Sequence, residues 1–459
     1  MMKPLLVGIS AFLLISCASS PKTVTSGFQL REFTEERLPN GLTFLVIRDP
    51  SLPRVSLQMM VKTGGIYESK DRAGLSALTF GVLDQGTKKK KALQIADAFA
   101  QIGSEFGAQS GDDMSFISAS GISPNRSELL KLFYEVISEP AFDTAEIERR
   151  KSQQMAAIQK ALDQPQSYTD QVYEEALFEN HPYANPKLGT QESVKAIRRA
   201  DVVKWYQEWV QPANAVVALV GQVDDAYVSE VKSTLGQWRA QGAAGKEPTR
   251  PTVGTTPLKR LVTKKDLKQT QVRIGQLGLQ RTDEDFLKIR MGALILGGAF
   301  ASRLNQHIRD DLGLTYSIYS ASDARLDRGA FEITTFTRNE KAADTIRETL
   351  KMVKDFAEKG VNQRELDAAK ALMIGQFPSA LETPDRLAYN LLVLRRYGIG
   401  DDYLRNFHQN VNAITLGDLN SAIRKHVKPD QMRIVVYGDQ AVIGESLKSV
   451  GEFQIQQAK

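Results

Sequence analysis

The sequence is poorest in the residues that hold metals and cross-links. Its 459 residues include one cysteine, Cys17, so no disulfide can form within a single chain. The four histidines are His181, His307, His408 and His426, and no two lie within a helical turn of each other. That spacing excludes a zinc site built on two imidazoles of one helix. His181, which precedes a proline, reads as structural; the other three sit on helix-like stretches as surface or half-buried groups. Long apolar runs are also missing. Leu5 to Ser16 gives only 12 apolar or small residues, where a bilayer span needs about 20. No basic stretch is interleaved with aromatics, and the net charge of +5 is small for this length, which excludes a nucleic-acid partner. The densest basic run, Lys88–Lys91, reads as a solvated loop at a helix start. No G-x-S-x-G elbow occurs. "GVLDQGTK", residues 81 to 88, approaches a phosphate loop, but its Lys and Thr are in the wrong order and a helix precedes it.

What is present begins at the N-terminus. A cationic start (Met1-Met2-Lys3) and a short apolar core form the pattern of a secretory signal. It ends in Leu14-Ile15-Ser16-Cys17, which resembles a bacterial lipobox with Cys17 as the lipidated residue. Acyl chains there would anchor the protein to a membrane, each buried CH2 contributing about 0.8 kcal/mol. Ala18 after the Cys, by resemblance to known lipoproteins, implies the outer membrane facing the periplasm. Residues 1–17 are then the signal and 18–30 a tether rich in small polar residues.

The remainder divides into two related halves, 31–238 and 258–455, joined by a Gly-, Pro- and Thr-rich linker at 239–257. "IRRADVVKWYQEWVQPANAVVALVG" (197–221) and "ITLGDLNSAIRKHVKPDQMRIVVYG" (414–438) align without a gap at an offset of 217. Ile197, Asp201, Val210, Pro212 and Gly221 recur as Ile414, Asp418, Val427, Pro429 and Gly438. Both segments read as capped helix, proline turn and buried strand, so a domain has been duplicated. Periodicity predicts strands at "LTFLVIRD", "VSLQMMVKT", "MSFISASG", "QVRIGQLGL" and "AFEITTFT". It predicts helices over 91–103, 126–138, 143–162, 199–210, 284–309, 341–359 and 363–380. The fold class is α+β: two homologous domains, each a mostly antiparallel sheet with helices packed on one face.

Four segments carry a family resemblance: "LPNGLTFLVIRDPSLPRVSLQMMVKTGGIYE", "GLSALTFGVLDQGT", "HPYANPKLGT" and "FASRLNQHIRDDLGLTYSIYSA". Together they resemble the M16 peptidases, the pitrilysin and insulysin group, in their two-domain bacterial form. Active members carry His-x-x-Glu-His on the helix that "GLSALTFG" matches, with two zinc ligands, a general base, and a third Glu ligand about 75 residues on. Carried over by position, the ligands and base fall on Ala77, Phe80 and Gly81, and the third ligand on Ala156 or Ala157. Lys151 through Leu162 contains no Asp or Glu, so a small shift of register restores nothing. The resemblance therefore implies a degenerate centre with no catalytic residue, no metal and no cofactor in this chain.

The resemblance also implies something retained. Arg309 and Tyr316, seven residues apart in "RDDLGLTY", match an Arg/Tyr pair that holds the substrate peptide in the family. By local pattern Arg309 ends a helix, Gly313 stops it, and Tyr316 opens a strand. The plainer possibility is that Arg309 pairs with Asp310 or Asp311 and that Tyr316 is half-buried. Some bacterial M16 enzymes are heterodimers in which one subunit carries zinc and the other the Arg/Tyr pair. The expectation is a peptide-binding subunit of the second kind, inactive alone, with zinc on an HxxEH-containing partner. The alternative is a non-enzymatic binding or scaffold protein that associates with itself.

Overall fold

The computed structural model describes residues 30–458, so Cys17 and the tether through residue 29 lie outside the described part. Twelve strands form two six-stranded sheets. In the first half these are β1 (Thr34–Arg37), β2 (Thr43–Arg48), β3 (Arg54–Val61), β4 (Glu105–Ser110), β5 (Ser115–Ile122) and β6 (Ala215–Gly221). In the second they are β7 (Leu258–Thr263), β8 (Gln269–Leu277), β9 (Ile318–Asp323), β10 (Ala330–Arg338), β11 (Arg433–Gly438) and β12 (Gln454–Gln457). The sheet orders are β1-β2-β6-β3-β5-β4 and β12-β7-β11-β8-β10-β9, so five strands correspond one to one. Only the outermost strand differs. β1 comes from the start of its half and runs antiparallel to β2, whereas β12 comes from the chain's end and runs parallel to β7. Most pairings are antiparallel, the exceptions being β2 with β6, β7 with β11, and β7 with β12.

The central strands are apolar without alternation, as in "AVVALVG" and "RIVVYG", because both their faces are covered. One face of the first sheet packs Phe44, Leu57, Val217 and Leu219 against the domain's own helices Arg126–Ser138 and Arg199–Trp209. The opposite face, with Leu45, Ile47, Met60 and Ala218, packs on Leu387, Ala388 and Leu391 of the helix Pro384–Tyr397, which belongs to the second half. The second sheet receives the reverse gift. Val262, Val435 and Tyr437 pack on Tyr168, Val172 and Tyr173 of the helix Pro165–Phe178 from the first half. Each domain thus keeps helices on one face of its own sheet and lends one to its neighbour's other face.

A polar lock joins the halves beside these helices. The carboxylate of Asp113, only 4% exposed, accepts bonds from Tyr183 Oη (2.5 Å), Tyr397 Oη (2.9 Å) and Leu326 N (2.8 Å). Arg396 Nε donates to the Asp113 carbonyl. Arg325, from the β9–β10 turn, lies over the rings of Phe178 and Tyr183 and pairs with Asp323 and Glu174. The segment 181–190 therefore serves the interface: His181 Nδ1 accepts from Tyr183 N, and its Nε2 meets Asp327 at 3.0 Å. Residues 239–257 contain no helix or strand, yet they are pinned. Gly245 N donates to Glu208 O, Arg250 Nε to Asp327, and Arg433 Nη2 to Gly254 O.

Candidate functional site

The first candidate centre is the helix Leu75–Gly81. Its entry is set by Gly74, at φ +88°, where a Cβ would come within 2.4 Å of Leu188 O. Its orphan donors are met by Glu68, whose carboxylate accepts from Gly74 N (2.9 Å) and Ser76 N (2.5 Å). Burial pushes Glu68 up to about 8. Along the helix, Ala77 and Gly81 are half-buried, but Phe80 is 1% exposed and sits in the domain core. Position 80, which the family resemblance matches to the general base, therefore points inward and does packing work, as an amphipathic helix allows.

The neighbouring helix Thr144–Asp163 reaches this segment through Arg150 and Gln154. Arg150 Nε donates to Gly81 O at 2.6 Å, and Gln154 Nε2 donates to Gly74 O (3.0 Å) and Leu188 O (2.7 Å). Ala156 and Ala157 are exposed further along it. None of Ala77, Phe80, Gly81, Ala156 or Ala157 offers a metal ligand, and a guanidinium stands beside Gly81. The residues present do not fit a divalent cation.

The corresponding part of the second domain is built differently. The predicted continuous helix over 284–309 is broken: α-helix Phe286–Ala293, a π-helical turn Leu294–Gly298, an irregular stretch, and a second π-helical segment Asn305–Asp311. The break follows from Gly297-Gly298. A Cβ on Gly297 would lie 2.7 Å from Ser320 N, so glycine lets the helix settle against β9, where Ser320 Oγ donates to Ala293 O. Arg309 lies in the last turn of the second segment, and Gly313 at φ +57° ends it. Tyr316 precedes the strand, which starts at Ile318.

Arg309 holds Asp310 through Nε (2.8 Å) and Nη2 (3.2 Å) and lies 4.2 Å from the centroid of the Phe300 ring. The Asp310 hydrogen bond raises its pKa, with a smaller contribution from nearby Tyr316. Tyr316 is not half-buried: it is 85% exposed, and Phe300 is 81% exposed. Two bare aromatic side chains flanking a half-used guanidinium can receive a peptide's carbonyls and apolar side chains. Phe300 was not singled out from the sequence; an aromatic after Gly297-Gly298 was its only signal.

The other histidines make no centre. His426 joins Asp283 and Asp285 in a cluster with metal-like spacing, but Lys288 (2.5 Å) and Lys425 (2.8 Å) also bind Asp285. Burial raises the Asp285 pKa, yet the hydrogen bonds from these cations and His426 outweigh it and hold the carboxyl far below its usual range. Two ammonium groups already fill the role a cation would take.

Two family models match the chain: Insulinase (peptidase family M16) over residues 43–191, and the peptidase M16 inactive domain over 196–373. The chain belongs to the M16 peptidase family. Its M16 relatives include the uncharacterized zinc protease YmxG of Bacillus subtilis, 26% identical over 84% of this chain and 93% of the relative. The non-peptidase homolog YmxG of Helicobacter pylori is 26% identical over 90% of this chain and 96% of its own length. Among solved structures, the M16 inactive-domain protein of Pseudomonas fluorescens superposes with a TM-score of 0.82 at 26% identity, covering 89% of this chain and 98% of that one. A Helicobacter pylori protease shares the fold at TM-score 0.80 and 19% identity, covering 89% and 100%. Relatives named as proteases and as non-peptidases match equally well, so names do not decide activity. The matches include M16 proteins described as inactive domains or as a non-peptidase homologue.

Proposed function

We infer that this chain is the metal-free, peptide-binding member of an M16 assembly. It holds substrate peptide through Arg309 and Tyr316, while a separate subunit bearing His-x-x-Glu-His supplies the zinc and the hydrolysis. The observation that carries this reading is the exposed Phe300–Arg309–Tyr316 cluster on a chain whose own metal helix has turned its base position into core. The lipobox-like Cys17 adds an outer-membrane anchor facing the periplasm.

A specific observation favours the alternative, a scaffold that associates with itself: Arg309 is engaged by its own neighbour Asp310. The test is co-purification from native envelopes, followed by steady-state kinetics of the assembled pair. Arg309→Ala is expected to cut peptide hydrolysis at least tenfold while assembly is retained, since a charged hydrogen bond to substrate contributes about 1.5–3 kcal/mol. Unchanged kinetics, or a stable homodimer with no zinc-bearing companion, would return the chain to the scaffold class. Cys17→Ser is expected to move the protein from the membrane fraction to the soluble one.

A further inference from the structure

The outer surface of the degenerate metal helix is bare but not uncharged. Ala77 and Gly81 place no polar side chain on it, and Ala156 and Ala157 leave the adjoining helix equally plain. Beside this surface stands Arg150. Its Nη2 lies 3.6 Å from the point a Cβ on Gly81 would occupy, the position that carries a metal ligand in active relatives. Its Nε donates to Gly81 O at 2.6 Å and its Nη1 to Gln153 Oε1 at 3.1 Å. Both acceptors are neutral. Arg149, next in the chain, is by contrast paired with Glu146 at 2.8 Å.

Arg150 is thus a half-exposed cation, fixed by two bonds, with no carboxylate partner among the described residues. Fixing the guanidinium in advance lowers the entropy lost when it binds a ligand. Its remaining donors favour a carboxylate, because a bond between two charged groups is about twice as strong as one to a neutral carbonyl.

We propose that Arg150 is a carboxylate-binding residue, occupying with its own positive charge the place where active relatives keep a metal. The inference rests on the peptide-binding role given above. It adds a second anchor, in the first domain, and a ligand class: peptides that carry a carboxylate, at the C-terminus or on an acidic side chain. Nothing is hydrolysed there, since the guanidinium activates no water.

The test is calorimetric titration of the full chain with three versions of one flexible peptide: free C-terminus without acidic residues, C-terminal amide without acidic residues, and C-terminal amide with one internal Glu. The wild type is expected to bind a carboxylate-bearing version about tenfold more tightly than the neutral amide. Preference for the free terminus alone identifies the C-terminus as the source, and preference for both identifies any carboxylate. Arg150→Gln removes the preference and Arg150→Lys keeps part of it. This ratio does not respond to a merely structural role at Gly81 O, because all three peptides meet the same protein. A preference that survives Arg150→Gln, or a wild type that shows none, overturns the proposal. Arg309→Ala run in parallel separates the two readings. If it weakens all three peptides while the carboxylate preference is absent from the wild type, the Arg309 site stands and the Arg150 site falls. If it weakens none while the preference persists, the reverse holds.

Discussion

The helix Leu75–Gly81 in the first domain and the helix Phe286–Ala293, continued by the π-helical turn Leu294–Gly298, in the second hold corresponding places: Leu75–Gly81 packs on β4 and on Arg199–Trp209, Phe286–Ala293 on β9 and on Leu416–His426. The first carries Phe80, buried in the core; the second carries Gly297, close against Ser320. One helix turns Leu75, Leu78 and Phe80 into the core and carries no side chain able to bind a metal at 77, 80 or 81. The other has been opened by Gly297-Gly298 into π-helical turns that display Phe300, Arg309 and Tyr316. Duplication supplied two copies of one scaffold, and each treats this helix differently: the first buries it in the core, the second breaks its continuity.

Three measurements can break or sharpen that comparison. The largest effect is expected for Phe80→Ala, which deletes a buried ring in the first core and should cost about 3–5 kcal/mol by chemical denaturation. A loss below about 1 kcal/mol would mean that position 80 is not core at all.

The two lent helices differ next. Helix 384–397 meets the first sheet through apolar side chains and through Asp385, which accepts from Gln58 Nε2 at 2.6 Å; helix 165–178 covers a carboxyl on β10, Glu332, which burial pushes up to about 7, helped by Glu174, Asp170 and Asp323 and opposed by Arg273. A raised carboxyl favours the folded state fully below its unfolded value of about 4.5. That stability is lost as pH rises through 7, a change of about 2–3 kcal/mol. Glu332→Gln should flatten the pH-dependence of the unfolding midpoint between those limits. An unchanged slope would assign the dependence elsewhere, with Glu68 next in line.

The smallest difference concerns the repeated helix. Thr415 Oγ1 accepts from Asp418 N while Asp418 accepts from Thr415 N, a reciprocal cap; its counterpart Arg198 donates its backbone N–H to Asp201 but has no side-chain acceptor to return the bond. Thr415→Ala should cost about 1 kcal/mol and Arg198→Ala far less. Equal losses would show that the two helix starts are not distinguished by their caps.

The duplicated architecture and the family were legible because the repeat is gapless over 197–221 and 414–438 and its helices are amphipathic. Helices read at 126–138, 199–210 and 341–359 agree with Arg126–Ser138, Arg199–Trp209 and Ala342–Lys359. The two lent helices, 165–178 and 384–397, were missed. Their buried residues do recur at helical spacing, Tyr168, Val172 and Ala176 in one and Leu387, Leu391 and Leu394 in the other, so the period was present in the sequence; what it could not show is that each stripe faces the other domain's sheet. The break at Gly297 was also hidden, because its cause is the approach of Ser320 from a distant strand. At the sites, residue types alone show that Ala77, Phe80, Gly81, Ala156 and Ala157 carry no side chain able to bind a metal. The Arg309–Asp310 pairing was open as the plainer reading and is what the structure shows; the inward turn of Phe80 and the position of Arg150 depend on which way side chains point, and that emerges only in three dimensions.

The exchange of helices between the halves sets an order on biosynthesis. The first sheet is complete once β6 has been made, but the element that covers its second face is not translated until residue 397. Through that interval the nascent chain carries an apolar sheet surface with no partner of its own, a surface of the kind that invites aggregation. A fragment ending at the linker would keep that surface permanently, so neither half is a self-sufficient folding unit.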